Sequence, residues 1–538
     1  MPGRFVLLII WLSGVYHIQA QIDTLSSALP IVVIEVPGAQ IPDEPKVPGQ
    51  IYIIDNGAEQ INRSSDTVFA FVGSIGIELR GSSSKFYAKK PYSIEIRDEK
   101  GDDLAVSLLG MPDESDWGLI APLNDKTLMR DQLAHHYARQ ILPWSPRGRY
   151  CELFINNKYQ GVYWLIELIK RDKNRVDIKK LDAEDVSGDK LTGGYILRID
   201  KYGPQGGIGG DWPSTYFSAQ NTGFPMYFQH VYPKLADLSS EQISYIRDYL
   251  AAFESMMARQ DFNQHYSEWL DVQTWVDYAL VQELVKNTDG YRLSAYFYKD
   301  RESRDNKLKM GPVWDFNISM GIGDYCDGQS FTGWAKDFNS VCPIDPFQIH
   351  FWWAKLWGEK RFVSLLKQRW QELRTGIWTD QHLLAPIDSF QLLLSEPQKR
   401  NFARWPVLGV YVWPNAYIGP TFEAEVNYLK DWLVKRANWL DQAFELLDYE
   451  RPFFYPVDKA ILLAPNPASS QLTITNLQED GINEVQIYNQ IGQMISCPIR
   501  SEENQKTIDV NNLASGVYFV QIRFGNYHRT LRKVMVMP

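Results

Sequence analysis

The sequence predicts an α+β protein, a mixed domain with a helical C-terminal part followed by a small all-β, immunoglobulin-like sandwich. Three patterns lead to that class. Apolar and polar residues alternate through much of the first third of the chain. Apolar residues recur at three- and four-residue spacing from residue 239 onward, and short strand-like runs with turn residues between them fill the end. At 538 residues the chain exceeds what one hydrophobic core organises, so more than one domain is expected.

The strands come first. Ile31-Val-Val-Ile-Glu-Val36 is a β run, and the Pro-rich stretch from Pro37 to Pro48 breaks it. Ile75–Arg80 and Tyr92–Arg97 alternate in polarity around Gly81-Ser-Ser-Ser84, which places Arg80, Lys89 and Lys90 near the connection of a hairpin. A second hairpin joins Cys151–Ile155 to Gly161–Glu167 across Asn156-Asn157, because Asn tolerates the positive φ of a tight turn. The strand Gly194–Asp200 follows the charged run Lys170–Arg175.

Helices then dominate. Asp125 is placed to cap a helix that runs to Ala138. Ser239-x-x-Gln242 is a capping-box pattern ahead of Ile243, Ile246, Leu250 and Phe253, and a further helix spans Asp271–Val285. Ala295–Tyr298 and Leu308–Trp314 are expected to pair as strands across the charged turn Arg301–Lys307. Residues 351–447 return to helix, with Val426, Leu429, Leu433, Leu440 and Phe444 in strong register. After Pro456, Leu472–Asn476, Val485–Asn489, Ile508–Val510 and Gly516–Ile522 are the strands of the sandwich.

Composition narrows the function classes. A net charge of −10 provides no general basic field, so nucleic acid is not an expected partner. The 18 Trp and 29 Tyr suit an extracellular fold that presents rigid amphipathic faces, and equally suit core packing. Four cysteines are too few for a disulfide scaffold. Cys326 and Cys342 bracket a Gly-rich loop and are the one pair expected to bond. No HExxH, CxxC pair, nucleophile elbow or Walker A pattern is present. Asp324 and Asp327 flank Cys326 and are read as a solvated acidic loop before a Ca²⁺ or glycan site.

Arg4, the apolar run Phe5–Leu12 and the stretch ending His17-Ile-Gln-Ala20 have the three-part layout of a secretory signal cleaved after Ala20. No later segment reaches about 18 uninterrupted apolar residues, so no transmembrane span is expected in the mature protein.

The tail resembles, in motif order, the type A C-terminal sorting domain of the type IX secretion system: Pro465-Asn-Pro467, Ile487-Tyr-Asn-Gln-Ile-Gly492 and Leu513-Ala-Ser-Gly-Val-Tyr518. That resemblance implies handling by the type IX machinery, a secreted or outer-surface location, and attachment to surface lipopolysaccharide. Residues from about 70 to 370 resemble the spore-coat CotH kinase family, whose fold is kinase-like. The likeness rests on Arg80-Gly-Ser-Ser83 with Lys89-Lys-Pro-Tyr92, Asp116-Trp117 with Asn124-Asp-Lys126, Gly161-Val-Tyr163 with Glu167, Asn287-x-Asp289, and Pro312-Val-Trp-Asp-Phe316. The division that follows is a signal peptide at 1–20, a strand-rich segment at 21–70, a CotH kinase-like domain at 71–455 and the sorting domain at 456–538.

Phosphoryl transfer needs cations for the triphosphate, a carboxylate for Mg²⁺ and a second carboxylate beside the accepting hydroxyl. The resemblance implies ATP and Mg²⁺ as cofactors and an exported protein as the Ser/Thr substrate. It makes Asp289 the catalytic base or orienting group, 26 residues before the metal-binding Asp315. Arg80, Lys89 and Lys90 are expected at the phosphates, Glu167 paired with one of these cations, and Trp314 against the base. Ser294 and Asn317 complete the metal shell, although Ser294, a weaker ligand, stands where kinase-like sites carry Asn, and the neutral Asn317 stands where CotH-like sequences commonly carry Asp. A pseudokinase-like surface protein with a binding or envelope-assembly role therefore stands as the alternative. A glycan-acting enzyme, with paired carboxylates across a sugar-sized cleft, is a third class.

Overall fold

Period-two alternation in the first third of the chain builds a closed barrel, because it gives each strand one apolar face and a barrel gives all those faces one interior. The computed structural model describes residues 25–38, 40–57, 60–201, 212–216, 226–447, 461–476, 482–489, 493–502, 505–524 and 528–537. The signal-like segment at 1–20 and the junction at 456 lie outside the described residues.

Strands β1 (Ile31–Glu35), β2 (Val47–Ile54), β3 (Phe71–Leu79), β4 (Tyr92–Arg97), β5 (Asp116–Ile120), β6 (Gly148–Ile155) and β7 (Lys158–Glu167) close in the order β1-β2-β3-β4-β5-β7-β6. Closure is made by the parallel pairing of β1 with β6, Ile31 opposite Glu152. Ile75 and Ile77, Ile94 and Ile96, Trp117 and Leu119, Cys151 and Leu153, and Tyr163 and Leu165 fill the interior. Ile53 pairs with Phe71 across β2 and β3, so the division drawn at residues 70/71 passes between two hydrogen-bonded strands of one barrel. The β6–β7 turn has Asn156 and Asn157 at φ 47° and 62°, the primed geometry expected for that hairpin.

The outer faces of β6 and β7 offer Tyr150, Val162, Trp164 and Ile166 to a second core. That core surrounds the sheet β9-β10-β8-β11-β12, formed by β8 (Tyr195–Ile199), β9 (Trp212–Pro213), β10 (Tyr227–Tyr232), β11 (Ala295–Lys299) and β12 (Leu308–Met310). Helix α1 (Arg130–Arg139) buries Leu133, Ala134, Tyr137 and Ala138 in this second core. Helix α2 (Ser240–Ala258) starts on the expected capping box of Ser239 and Gln242. Helix α3 spans Phe262–Trp269, and helix α4 (Val272–Val285) is capped by Asp271 and buried on almost every side. The aromatic content is spent here: Trp275 lies 5.0 Å from Trp353 and Trp352 5.0 Å from Phe253, centre to centre. Helices α5 (Phe351–Trp357), α6 (Lys360–Thr375), α7 (Asp380–Leu393), α8 (Pro397–Arg404) and α9 (Phe422–Leu446) complete the helical part.

Two elements begin or end away from their sequence positions. Helix α1 starts at Arg130, because the Asp125 carboxylate accepts from the backbone and hydroxyl of Thr127 and from the backbone and guanidinium of Arg130. Those bonds close a turn instead of a cap. Strand β12 stops at Met310, because Pro312 has no N–H for a further rung and Gly311 N makes the last bond, to Tyr296 O.

The tail has two four-stranded sheets, β13 (Ile461–Ala464), β14 (Gln471–Asn476), β18 (Gln505–Asp509) and β17 (Ile499–Glu502) in one, and β16 (Met494–Ile495), β15 (Ile482–Tyr488), β19 (Gly516–Phe524) and β20 (His528–Val536) in the other. Leu472, Ile474 and Ile508 of the first sheet and Ile487, Val520 and Val534 of the second share one core. Mixed α+β with a β-rich tail is the predicted class. Among the described residues no helix is long and apolar enough to cross a membrane.

Candidate functional site

A cavity of about 770 Å³ opens between the barrel and the helical part, and Arg80, Asp289, Ser294, Trp314, Asp315 and Asn317 all line it. Its depth comes from three chain segments that converge for separate reasons.

The first follows α4. Lys286 leaves the helix at φ 42° and the chain passes through Asn287, Thr288 and Asp289 before entering β11. The second follows β12, where Asp315 sits at φ 64°. Asn287 joins them. Its Nδ2 donates to Asp315 O at 3.2 Å and its Oδ1 accepts from Asp289 N at 3.2 Å, a physical reason for the Asn-x-Asp pattern. The third is α1, whose Asp131 Oδ1 accepts from Phe316 N at 2.9 Å.

Asp289, Asp131 and Asp200 all act on Asp315. Burial, then repulsion from Asp289, Asp131 and Asp200, pushes the Asp315 carboxyl up to about 8, with Lys201 opposing. Burial lifts Asp131 to about 7, with the Phe316 amide opposing and Asp125 adding repulsion. Asp289 is held by Arg292, whose Nη2 donates to Asp289 Oδ1 at 2.6 Å. Ser294 Oγ donates to Asp200 Oδ2 at 3.4 Å, and Asn317 O accepts from Asn124 Nδ2 at 3.1 Å.

Arg80 faces this acidic wall from the end of β3. Its guanidinium lies 5.3 Å from the centre of the Trp314 ring. Nη1 is buried and has no hydrogen-bond partner among the described residues. Burial pulls the group below its ordinary range, while Tyr296 and Asp315 attract the charge. The chain then turns at Gly81, φ 89°, where a Cβ would meet Ser84 Oγ at 2.0 Å, and Ser82, Ser83 and Ser84 line the cavity beside it.

Three expected residues stand outside the cavity. Lys89 is buried and donates to Val162 O at 2.5 Å, Asn401 Oδ1 at 2.9 Å and Pro122 O at 3.4 Å, so it ties the barrel to α8. Lys90 Nζ donates to Lys85 O at 2.7 Å and braces the serine loop from behind. Glu167 pairs with none of Arg80, Lys89 or Lys90. It receives Arg147 Nε at 2.9 Å and Nη2 at 2.7 Å, and Arg175 approaches it to 3.7 Å. Arg147 reaches it because β6 and β7 are neighbours, Gly148 facing Ile166. Conversely, Asp131, Asp200, Arg198 and Arg292 line the cavity and had no place in the sequence reading of the site.

The expected bond between Cys326 and Cys342 is formed. Among the described residues no three His, Cys, Asp or Glu side chains are grouped to cage a metal by themselves.

An acidic cleft on a mixed α and β scaffold, with an arginine and a serine loop opposite, has the parts that phosphoryl transfer uses. Residues 77–440 match the family described as CotH kinase protein, and the chain belongs to that family. Residues 463–537 match the family described as secretion system C-terminal sorting domain, which implies export to the exterior or the outer surface. No curated protein matches the chain.

Proposed function

We propose that this is an exported atypical kinase, which transfers the γ-phosphoryl group of ATP to Ser or Thr of an exported protein with Mg²⁺ as cofactor. The observation that supports it best is the meeting of Asp289 and Asp315 in one cavity, tied through Asn287, opposite Arg80. Asp289, held by Arg292 Nη2 at 2.6 Å, is the carboxylate for the accepting hydroxyl. Asp315 holds the metal, with Asn317 and Ser294 as neutral neighbours. Bound Mg²⁺ would supply positive charge beside Asp315, which Asp289, Asp131 and Asp200 repel. Arg80 and the Ser82–Ser84 loop take the phosphates, and Trp314 keeps Arg80 flat. Lys89, Lys90 and Glu167 serve the scaffold.

The signal-like segment at 1–20 and the tail fit passage through the type IX machinery and attachment to surface lipopolysaccharide. A nucleotide-binding protein without transfer is the second reading, favoured by the neutral Asn317 and Ser294 at the metal position. The full mature chain, incubated with Mg-ATP and exported protein, separates the two. Transfer that is lost in Asp289→Ala and in Asp315→Ala supports the kinase. Binding without transfer selects the second reading, and neither binding nor transfer removes both.

A further inference from the structure

The segment 326–347 brings Asp345, Pro346 and Phe347 to the cavity wall, and its two halves are fixed differently. The first half is held from below by two buried cations. Lys286 Nζ donates to Asp327 O at 2.9 Å, Asp327 Oδ2 at 3.0 Å, Ser330 O at 3.1 Å and Thr332 O at 2.6 Å. Arg436 Nη1 donates to Phe331 O at 3.0 Å and Gly333 O at 2.6 Å, while its Nη2 pairs with the buried Glu283 at 3.1 Å.

The second half carries Asp345 and Phe347, and both meet the segment after α4 through one side chain, Arg292. Arg292 Nη1 donates to Asp345 Oδ1 at 3.2 Å and Phe347 O at 3.0 Å, Nε donates to Thr288 O at 2.9 Å, and Nη2 donates to Asp289 Oδ1 at 2.6 Å. The Arg292 side chain is 2 % exposed and its guanidinium lies 3.9 Å from the centre of the Phe338 ring. Every nitrogen of that fork is thus committed, and its direction depends on where Asp345 and Phe347 stand. Besides the backbone through Phe338–Val341, the Cys326–Cys342 bond is a second covalent link between the half anchored on Lys286 and Arg436 and the half that aims Arg292.

We propose that Arg292 is a positioning residue for Asp289, aimed by Asp345, and that the Cys326–Cys342 bond completes the site by fixing Asp345. This rests on the kinase reading for its activity readout and not for its structural one. Bond formation converts two thiols to one disulfide and releases two protons and two electrons. Thiol–disulfide exchange passes the electrons to a disulfide-bearing oxidant outside the cytoplasm. The chain before export, with both thiols reduced, then has the cavity without its aligned carboxylate.

The test uses the full mature chain as wild type, Asp345→Asn, Cys326→Ala/Cys342→Ala and all three changes together. Asp345→Asn keeps the size of the side chain and is expected to leave the fold intact. Amide exchange across residues 287–294 is expected to speed up about tenfold in each variant, because the anchor is local. The kcat for phosphotransfer is expected to fall about tenfold with KM for Mg-ATP within about twofold, because the Arg80 side is untouched. The combined variant is expected to be no worse than the cysteine pair alone, the non-additivity of one shared linkage. Unchanged exchange at 287–294, full activity in both variants, or additive losses overturn the proposal. Faster exchange in a protein whose wild type transfers no phosphate leaves the linkage standing and removes the kinase reading instead.

Discussion

A Cβ on Gly118 would stand 2.4 Å from Arg80 Nη1, so the backbone of β5 is the seat on which the cavity's arginine rests. Trp314 closes the other side of the guanidinium at 5.3 Å. The arginine is placed by a missing side chain and a ring, with no carboxylate in ion-pair contact among the described residues. Gly118→Val is expected to push the guanidinium off this seat and weaken Mg-ATP binding about tenfold, the equivalent of about 1.4 kcal/mol for one charge-assisted contact. Titration calorimetry reads the affinity and circular dichroism checks the fold. Unaltered affinity in a folded Gly118→Val protein removes Arg80 from the phosphate site.

Lys89 separates a scaffold role from a nucleotide role. Its ammonium has three oxygen acceptors and lies 4.9 Å from the centre of the Tyr163 ring, while burial pulls its pKa down to about 7. Lys89→Met removes the ammonium that donates to the Val162 carbonyl and leaves Asn401 Oδ1 with Val162 N as its remaining donor. A loss of about 1–3 kcal/mol in urea unfolding is expected, with nucleotide affinity unchanged in the folded fraction. A loss of affinity without a loss of stability returns Lys89 to the site.

These contrasts mark what the chain reveals before it folds. Local rules placed the Asn156-Asn157 hairpin, the Ser239 capping box and the disulfide, because each depends on neighbours in sequence. The family motifs brought Asp289, Asp315 and Arg80 to one cavity. Partner choice was not legible. Glu167 binds Arg147 because β6 lies beside β7, and nothing in its flanking residues records that adjacency. Asp131 was hidden as one polar position on an amphipathic helix, and Asp200 as the end of a strand. Only the docking of α1 and β8 against Asp315 gives them their effect.

The tail has a core of its own, in which Ile474, Ile487 and Val520 are nearly or fully buried. Deletion of residues 463–537 is therefore expected to leave the rest of the chain folded and to stop its passage to the exterior. Cell fractionation of the producing bacterium reads the outcome. The deleted form should accumulate inside the outer membrane with an unchanged far-UV spectrum once purified, and normal surface delivery without the tail contradicts a sorting role.

The aspartate cluster also sets how stability responds to pH. With Asp315 at about 8 and Asp131 at about 7 in the folded protein, both groups hold protons that the unfolded chain has released above about pH 4. The folded state therefore binds more protons than the unfolded state in that window, and stability falls as pH rises toward 8. The slope is at most about 1.4 kcal/mol per pH unit for each group. A divalent cation beside Asp315 offsets the repulsion that raises these values and flattens the slope. Asp315→Asn has no carboxyl to ionise, so it removes the charge that wild type acquires as pH rises toward and past 8 and relieves its neighbours there. It is expected to melt with wild type near pH 5 and several degrees above it at pH 8.5 in EDTA, a difference that Mg²⁺ narrows by stabilising wild type alone. Melting midpoints at the two pH values, with EDTA and with Mg²⁺, decide it. A gap between the two proteins that is the same at both pH values means that the cluster carries no such strain.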